Sequence, residues 1–329
     1  MNRTATSVAI RTLLAIALVA GLAFAAVALT ACSGDNPDNT PTTETPDLLP
    51  VRVGTLMTDD LLPLWVAENE GLLEQAGLNV TVTVFQSAQE EIAAISAGEI
   101  DAMMTDMVVP VNLTNGGVPV RAVTAIQGAP AGIVAGAGSG ITSLAGLAGV
   151  KAGNSSGTIL EYIYSRALTD AGVAPDQIVT EEIKALPVRA EMLATGQIKA
   201  AVLPWTLFGA ALGAGGTPLL PRDAAEPYSQ TVLVFSEKYL GQTGAKETVD
   251  AVLVAWDAAV EVINAEPNAQ RDLLAEKTGL GEKLAKYEIR TYPTSALPDQ
   301  AMWDDVVSWM VDRGYLEAAI AYDKLVYQP

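Results

Sequence analysis

The chain has 329 residues, half of them hydrophobic, which is enough to form one large hydrophobic core or two medium ones. It has 19 basic and 38 acidic residues, so nucleic acid is not an expected partner, because phosphate binding needs clustered lysine and arginine. The chain contains no histidine, which excludes a Ser-His-Asp triad and most zinc sites. We expect neither a cofactor nor a bound metal.

The first 31 residues predict a secretory signal peptide that does not contribute to the fold. Arg3 and Arg11 are the charged residues of this segment, and an apolar run follows at Leu13–Leu29. A basic start, an apolar stretch and a small residue before a cleavage site are typical of such signals. The run is nearly long enough to span a bilayer, so a transmembrane anchor is the alternative.

Cys32 is the single cysteine of the chain and directly follows Leu29-Thr30-Ala31. The four residues resemble a bacterial lipobox, whose cysteine is diacylated and becomes the first residue of the mature protein. The resemblance implies an extracytoplasmic protein anchored to the cell membrane through lipid alone, since acyl chains gain about 0.8 kcal/mol per buried methylene. Cleavage before Cys32 removes two of the 19 basic residues and no acid, so the mature charge is 17 − 38 = −21.

Residues 32–50 are rich in Pro, Thr, Asp and Asn, and they predict a flexible tether. From Val51 onward, strand and helix patterns alternate. Strands are predicted at 51–56, 79–85, 100–104, 118–126 and 132–137. Helices are predicted at 62–76, 88–97 and 107–115, and glycine or Asn-Gly residues stop each of them.

The same order begins again after Gly138-Ser139-Gly140. Strands are predicted at 150–152, 178–183 and 198–203, and helices at 158–171 and 188–195. In both halves a glycine ends a helix before a strand, as AISAGEIDAMMTD and EMLATGQIKAAVLPW illustrate. The repetition predicts an α/β fold with two lobes, each a mixed, mainly parallel sheet flanked by helices. One large doubly wound domain is the alternative.

The C-terminal part of the chain is predominantly helical in pattern after one more strand at 231–235. Helices are predicted at 246–264, 267–277, 281–287 and 299–312. Trp256 repeats with apolar neighbours at helical spacing, and we expect it to lie in the core together with Trp303 and Trp309.

Ligands of open α/β sheets bind beyond the C-terminal ends of the strands, and domain junctions favour small-molecule sites. The residues that follow the predicted strands are therefore candidates for ligand contacts. They are Thr58, Asp59, Trp65, Gln86, Thr105, Asp106, Gln127, Asn154, Ser155, Ser156, Thr158, Pro204 and Trp205. No catalytic residue is predicted among them.

The loop 153–158, GNSSGT, lies between a predicted strand and a predicted helix. Free amides at a helix start, together with Ser155, Ser156 and Thr158, form a neutral pocket that suits an anion. The alternative is an ordinary Ser/Thr helix cap without a ligand.

Two acids and two tryptophans complete the candidate set. Asp59 and Asp106 follow strands and could accept hydrogen bonds from an amine or an amino-heterocycle, although Asp106 could equally cap the helix that starts at Met107. Trp65 or Trp205 could stack on a flat ligand, and the alternative for each is a place in the core.

Four segments of the chain resemble one known family: PLWVAENEGLLEQAGLNV, AISAGEIDAMMTD, GNSSGTILEYI and LPVRAEMLATGQIKAAVLPW. Over about residues 51–245 the chain is similar to the periplasmic binding proteins for nitrate, sulfonates, taurine and thiamine-pyrimidine precursors. The resemblance implies a type II two-lobed binding fold, a hinge crossed twice, and an ABC permease in the membrane as partner. It places lobe 1 at 51–135 and 225–329, and lobe 2 at 136–224.

The chain departs from that family at two motifs. Lys199 stands where the family often has Asp, and Pro204-Trp205-Thr206 stands in place of a Pro-Glu-Pro-like turn. Apart from Arg189 at a helix start, no arginine or histidine stands at the expected oxyanion positions. This argues against a simple sulfonate or nitrate.

The pattern as a whole predicts a monomeric solute-binding protein that captures a small polar organic ligand, such as a sulfonate or a nitrogen heterocycle, by hinge closure. One alternative is an enzyme on the same fold, acting on a pyrimidine or menaquinone precursor through Asp59, Asp106, Glu182 or Lys184. A ligand-free scaffold lipoprotein is a second alternative, and the repeated glycine-ended loops around a cleft argue against it.

Overall fold

The computed structural model describes residues 48–126 and 128–328. The predicted signal peptide, the lipidation site Cys32, most of the tether and Gln127 lie outside the described residues. In the described part the strands are β1 (Val51–Leu56), β2 (Val80–Phe85), β3 (Ala102–Asp106), β4 (Val120–Ile126), β5 (Ala131–Ala135), β6 (Ala152–Asn154), β7 (Thr180–Glu182), β8 (Ala200–Pro204), β9 (Thr217–Leu220) and β10 (Thr231–Ser236).

The α-helices of the same residues vary from one turn to 21 residues in length. In chain order they are α1 (Leu62–Asn69), α2 (Leu72–Gln75), α3 (Ala88–Ala97), α4 (Val108–Asn115), α5 (Ile159–Asp170), α6 (Leu186–Ala194), α7 (Trp205–Gly213), α8 (Arg222–Ala225), α9 (Glu237–Leu240), α10 (Ala245–Ala265), α11 (Arg271–Thr278) and α12 (Gln300–Asp312). Short 3₁₀ turns lie at Leu144–Leu147, Pro175–Gln177, Glu226–Tyr228, Pro267–Gln270, Gly281–Leu284 and Tyr322–Lys324.

The strands form two five-stranded sheets of the same design. Sheet 1 has the order β2-β1-β3-β10-β4, and sheet 2 has the order β7-β6-β8-β5-β9. In each sheet three parallel strands are followed by one antiparallel strand, which is β10 in sheet 1 and β5 in sheet 2. The predicted two-lobed α/β fold with mixed, mainly parallel sheets is thereby confirmed.

Burial follows the position of each strand in its sheet. The central strands β3 and β8 are apolar and almost wholly buried, which is expected for strands covered on both faces. The edge strand β2 alternates Val80, Val82 and Val84 with threonines that face solvent more openly. On α10 the buried residues include Val252, Trp256 and Val260, at the predicted helical spacing. Trp303 and Trp309 are buried as well, which confirms the prediction of core positions.

Four elements, α7, β9, α8 and α9, are absent from the prediction, and several predicted bounds are too long. The run Trp205–Gly213 forms α7 directly after β8, although its nearly uniform apolar composition gives no helical periodicity. Its Gly209 lies against Tyr287, where an added Cβ would be 2.6 Å from the ring, so a close approach requires glycine there. Strand β9 was also not predicted, and the predicted helix 281–287 is only the turn Gly281–Leu284.

The sheets divide the chain at a different residue from the expected lobe boundary. Strand β5 falls inside the expected lobe 1 range of 51–135, but it pairs with β8 and β9 in sheet 2. The physical reason is its antiparallel pairing, which a helix-and-strand pattern along the chain does not reveal. The chain therefore passes from sheet 1 to sheet 2 between Ile126 and Ala131, and returns between Leu220 and Thr231.

Candidate functional site

A cavity of about 590 Å³, counting space open to solvent, lies between the two sheets. We call it the polar chamber. Residues at and after the end of β1 and at the end of β3 form one wall, and residues after β6, at the end of β8 and on α6 form the other. Its polar and charged lining consists of Thr58, Asp60, Gln89, Thr105, Asp106, Ser155, Thr158, Lys184, Arg189 and Thr231. Facing walls built from separate sheets suit a ligand that touches both.

The sheet 2 wall contains the loop that follows β6. Asn154 is fully buried and accepts a hydrogen bond from the Ser155 amide at 2.8 Å, while the Thr158 hydroxyl donates to the Ser155 carbonyl at 2.7 Å. These two bonds hold the loop at the start of α5. The Ser155 hydroxyl is buried and has no hydrogen-bond partner within the described chain. The Ser156 and Gly157 amides before α5 donate to the carboxylates of Glu182 and Glu161, at 2.9 and 2.8 Å, so the Ser155 hydroxyl is the donor that this loop offers to a ligand.

Arg189 adds positive charge to the same wall. Its guanidinium is fully buried and donates to the Ile183 carbonyl at 2.6 and 2.9 Å and to the Val202 carbonyl at 2.9 Å. Burial lowers the pKa of Arg189 to about 10, although Glu182 opposes this shift, so the group remains cationic at neutral pH. Within the described residues no carboxylate lies at ion-pair distance from it. A buried cation without an acidic partner favours an anion in the adjoining space.

The sheet 1 wall presents hydroxyls and a carboxyl group with an unusual pKa. Thr58 and Thr105 line the chamber, and Asp106 follows them at the end of β3. Asp106 accepts hydrogen bonds from the amides of Val108 and Val109, at 2.7 and 3.2 Å, so it caps α4. Burial nevertheless raises the pKa of Asp106 to about 6, which the two amides oppose. Asp106 therefore both caps α4 and forms part of the chamber wall.

A second acid, Glu91 on α3, interacts with Asp106 from behind the wall. Glu91 is fully buried, and both of its carboxyl oxygens lack a hydrogen-bond partner in the part of the chain that the structure describes. Burial raises its pKa well above the ordinary value, and the charge of Asp106 adds to the shift. Glu91 therefore keeps its proton to a higher pH than an ordinary glutamic acid does.

Asp59 and Asp60 belong to a buried ionic cluster. The Asp59 carboxylate accepts from Arg222 at 3.1 Å and from the Tyr287 hydroxyl at 2.7 Å, and it lies 3.6 Å from Arg290. The Asp60 carboxylate accepts from Arg290 at 2.7 Å and from Thr231 at 3.3 Å.

The cluster sets different pKa values for its two acids. Burial alone would raise the pKa of Asp59, but Arg222 and Arg290 lower it below the ordinary value. Burial and the charge of Asp59 raise the pKa of Asp60 in spite of Arg290. Asp59 is therefore an ionised partner of arginines, and it does not line the chamber.

Direct contacts join the residues of the two sheets around the chamber. Thr206, at the start of α7, donates from its hydroxyl to the Met57 carbonyl at 2.5 Å. The Tyr162 hydroxyl on α5 donates to Asp305 on α12 at 2.5 Å, and Arg166 pairs with the same carboxylate at 2.8 Å. These bonds hold the two halves close together.

The structure brings six of the predicted site residues to the polar chamber: Thr58, Thr105, Asp106, Ser155, Thr158 and Pro204. Asn154 lies behind the wall as a support for its loop. Ser156 is exposed and bound to Glu182 at 2.8 Å, and the exposed Gln86 contacts α6 through its carbonyl. Gln127 lies outside the described residues.

Neither of the two candidate tryptophans lines the polar chamber, in contrast to the prediction that one stacks on a ligand. Trp65 lies on α1 and is packed in the core. Trp205 is buried, donates to the Ala129 carbonyl at 2.6 Å, and lies with its ring 4.7 Å from the Arg222 guanidinium. Gly132 accommodates that indole, because an added Cβ would be 2.5 Å from it.

Sequence patterns did not select several residues of the chamber. Gln89 and Thr231 line it from α3 and β10, and Lys184, which was considered only for an enzyme, lines it from the loop after β7. Thr231 begins β10, which joins sheet 1 although it follows all the strands of sheet 2 in the sequence. The position of Thr231 in the chamber therefore depends on the topology of the sheets. A signal for Lys184 and Arg189 was present, since both follow the predicted strand 178–183.

Two searches of the described residues were negative. No group of three or more acidic, cysteine or histidine side chains in them could hold a metal ion. Within the same residues no helix has both the length and the apolar composition needed to cross a bilayer.

Two α/β lobes that face each other across a cleft define the fold of the type II periplasmic binding proteins. The chain belongs to the NMT1/THI5-like family, whose family model matches residues 58–270. A comparison with curated protein sequences gives no significant match.

Similar solved structures share this fold at low sequence identity. The alkanesulfonate-binding protein SsuA from Xanthomonas axonopodis pv. citri, bound to MOPS, is 17% identical with a TM-score of 0.70, over 85% of this chain and 98% of that one. The ligand-binding component of an ABC-type import system from Staphylococcus aureus is 15% identical with a TM-score of 0.67, over 84% and 96%. A mutant of DszB in complex with biphenyl-2-sulfinic acid is 16% identical with a TM-score of 0.62, over 84% and 96%.

Proposed function

We propose that this protein is an extracytoplasmic solute-binding protein of an ABC importer, and that it captures a small organic ligand with an anionic group in the polar chamber. The observation that carries the proposal is the sheet 2 wall, where the unpartnered Ser155 hydroxyl adjoins the start of α5 and the buried cation of Arg189. Thr58 and Thr105 supply hydrogen-bonding groups from the opposite wall. Family membership and the fold of the solved relatives support a binding role.

Lobe closure is part of the proposal. Lobe 1 would comprise sheet 1 with the C-terminal helices, lobe 2 would comprise sheet 2, and the connections between Ile126 and Ala131 and between Leu220 and Thr231 would form the hinge. A ligand that bonds both walls is fully satisfied only when the lobes are close, so its binding free energy favours the closed state. Solution scattering with and without ligand measures this closure as a decrease in the radius of gyration.

Attachment through a diacylated Cys32, a monomeric state and an ABC permease as partner are further parts of the proposal. They rest on the lipobox, on the tether and on the solved relative that is a component of an import system. We expect Cys32→Ala to abolish membrane retention in fractionated cells. Retention of unprocessed Cys32→Ala protein in the membrane would instead favour the transmembrane alternative.

The decisive experiment identifies the ligand and then removes one hydrogen bond to it. Native mass spectrometry of protein purified from its host detects a co-purified ligand, and calorimetry with that compound gives the Kd. We expect Ser155→Ala to weaken binding by about tenfold or more, because a hydrogen bond to a charged group contributes about 1.5–3 kcal/mol. Ser156→Ala is the matched control, since this neighbouring serine is exposed and bound to Glu182. Equal affinities of both variants would contradict the proposal.

An enzyme that acts on a pyrimidine or menaquinone precursor remains the second candidate, and one observation favours it. Asp106 lies in the chamber wall with a pKa of about 6, which suits general acid–base catalysis near neutral pH. Incubation of the purified protein with its ligand, followed by mass spectrometry, tests this candidate. Turnover that is lost in Asp106→Asn would establish an enzyme, and an unchanged ligand favours the binding protein.

A further inference from the structure

The two halves of the protein also meet along α5 and α12, outside the polar chamber. Helix α5 packs on β5 and β8 of sheet 2. Helix α12 belongs to the sheet 1 side, because Ala296 just before it bonds to Thr124 and Ala125 of β4. We call their contact the α5–α12 interface, which consists of Glu161, Tyr162, Arg166, Asp305, Trp309 and Tyr315. None of these six residues lines the polar chamber.

Asp305 is the ionic centre of the α5–α12 interface. Its carboxylate accepts a hydrogen bond from the Tyr162 hydroxyl at 2.5 Å and pairs with the Arg166 guanidinium at 2.8 Å. Burial and the hydrogen bond to Asp305 raise the pKa of Tyr162, so its hydroxyl remains a donor. One carboxylate on the sheet 1 side therefore holds two groups that lie one turn apart on α5.

Aromatic rings surround this ionic centre. The ring of Tyr162 packs edge-to-face against Trp309, with their centroids 5.3 Å apart, and Trp309 lies 5.6 Å from the ring of Tyr315. Trp309 is only 5% exposed, although it lies at the boundary between the two halves. Separation of the halves would therefore expose an indole to water, which is unfavourable.

Further bonds extend the interface at both ends. At one end, a single Glu161 oxygen accepts from the Gly157 amide at 2.8 Å and from the Tyr315 hydroxyl at 2.7 Å. At the other end, the Tyr228 hydroxyl donates to Asp170, the last residue of α5, at 2.8 Å. Gly157 belongs to the loop of the sheet 2 wall, and Tyr228 lies in the connection that returns from sheet 2 to sheet 1. The contacts thus run from that connection to the polar chamber.

We propose that the α5–α12 interface is a latch that stabilises the closed arrangement of the lobes without any ligand. Its bonds join side chains of the two lobes directly, so they form whenever the lobes meet. Ligands bind more tightly to a protein whose closed form is already populated, because less of their binding free energy is used for closure. Residues that touch no ligand therefore set part of the affinity. The inference rests on the lobe closure of the proposed function and assigns the residues that govern it.

Protein freed of ligand by dialysis tests the latch directly. Asp305→Ala removes both bonds to α5, and we expect it to raise the ratio of open to closed molecules by about fivefold or more, because hydrogen bonds to a charged group are lost. The radius of gyration from solution scattering should then increase. All five tryptophans are buried, so fluorine NMR of 5-fluorotryptophan-labelled protein should show one resonance, that of Trp309, moving toward its solvent-exposed position. Trp309→Phe assigns this resonance.

The chain offers a matched control for each latch variant. Asp304→Ala is the control for Asp305→Ala, because Asp304 is the adjacent exposed acid on α12. Tyr162→Phe repeats the test from α5. Its control is Tyr164→Phe, because the Tyr164 hydroxyl donates to the Val179 carbonyl at 3.3 Å, within the sheet 2 side. Thermal unfolding verifies that every variant is folded.

Calorimetry with ethanesulfonate and 2-aminoethanesulfonate measures the consequence for binding. Both latch variants should weaken the two compounds by one common factor, because only the population of the closed form changes. This factor cannot exceed the change in the ratio of open to closed molecules. A residue that acted through a ligand contact would affect the two compounds differently.

The outcomes separate this inference from the proposed function. A larger radius of gyration and a displaced Trp309 resonance in both latch variants, with unchanged controls, support the latch. Wild-type values in both latch variants overturn it and leave the proposed function intact. Weakened binding of one compound alone also overturns it. If neither compound binds the wild type, the anionic ligand of the proposed function fails, whereas scattering and fluorine NMR still decide on the latch.

Discussion

Two pairs of buried acidic side chains lie on or beside sheet 1, and their surroundings are opposite. Asp59 and Asp60 follow β1 and are surrounded by Arg222, Arg290 and hydroxyl groups. Glu91 and Asp106 lie around the end of β3, and neither forms an ion pair within the described residues. Burial acts in the same direction on all four carboxyl groups.

The comparison shows that neighbouring cations decide the role of a buried acid. Two guanidinium groups keep Asp59 ionised, so this side chain joins the segments that carry the arginines to the end of β1. Without a cation, Glu91 and Asp106 retain protons well above the usual pH range for carboxylic acids. Asp59 therefore has a structural role, whereas Glu91 and Asp106 can respond to pH and to the charge of a ligand.

Removal of Arg290 from the cluster around the first pair should cause the largest loss of stability. Arg290→Met leaves Asp60 without its ion-pair partner and Asp59 with one arginine, and an uncompensated buried charge costs about 3–5 kcal/mol. Urea denaturation at pH 7 measures this loss in the free energy of unfolding. Arg313→Met is the control, since Arg313 is exposed and should change stability by less than about 0.5 kcal/mol. A similar small loss in both variants would contradict the assigned role of the cluster.

The second pair predicts a pH dependence of stability that Glu91→Gln removes. The folded-state pKa of Glu91 is raised, so its contribution is fully present below the unfolded value of about 4.3 and is lost as the pH rises through the folded value. Across that window the wild type should lose up to about 1.4 kcal/mol per pH unit relative to Glu91→Gln. Parallel curves for the two proteins between pH 4 and pH 8, from denaturant titrations, would show that Glu91 does not titrate there.

The smallest expected effect is a change in ligand affinity on substitution of Asp106, and its sign depends on the charge of the ligand. With ethanesulfonate at pH 7.5, Asp106→Asn should bind several-fold tighter, because it removes a like charge from the chamber wall. Wild-type affinity for ethanesulfonate should rise as the pH falls through the Asp106 pKa of about 6. The affinity should change by up to about tenfold for each unit by which the bound ligand shifts that pKa.

A second probe sharpens this result. With 2-aminoethanesulfonate, Asp106→Asn should bind several-fold weaker, because the ammonium group loses an acidic partner. Calorimetry of both compounds with both proteins decides between a simple anion and a zwitterion as the natural ligand class. Identical affinities in all four combinations would place the ligand away from Asp106. The side chains of Asp60 and Lys184 line the same chamber.

Much of the fold follows from local patterns. The glycine after α3 has a φ of +73° and ends that helix as predicted, because glycine adopts the left-handed conformation at little cost. Six candidate site residues reach the polar chamber for the same reason, since the ends of parallel strands meet at one edge of a sheet.

Long-range contacts account for what the patterns missed. Asp59 appeared free to accept a ligand, but Arg222 lies 163 residues further along the chain, and no local pattern reveals that pairing. Trp205 is held by Ala129 and Arg222 rather than facing a ligand for the same reason. The predicted lobe boundary after residue 135 differs from the division between the sheets, because β5 joins sheet 2 by antiparallel pairing.

The exchange of strands between the sheets has a consequence for synthesis. Strand β10 is inserted between β3 and β4 and supplies the hydrogen bonds that join them, yet it is translated after the whole of sheet 2. A nascent or truncated chain that stops before Thr231 leaves the edges of β3 and β4 unpaired where β10 belongs. Separate molecules can associate through such unpaired strand edges. Sheet 1 can therefore be completed only after Ser236 has been synthesised and has left the ribosome.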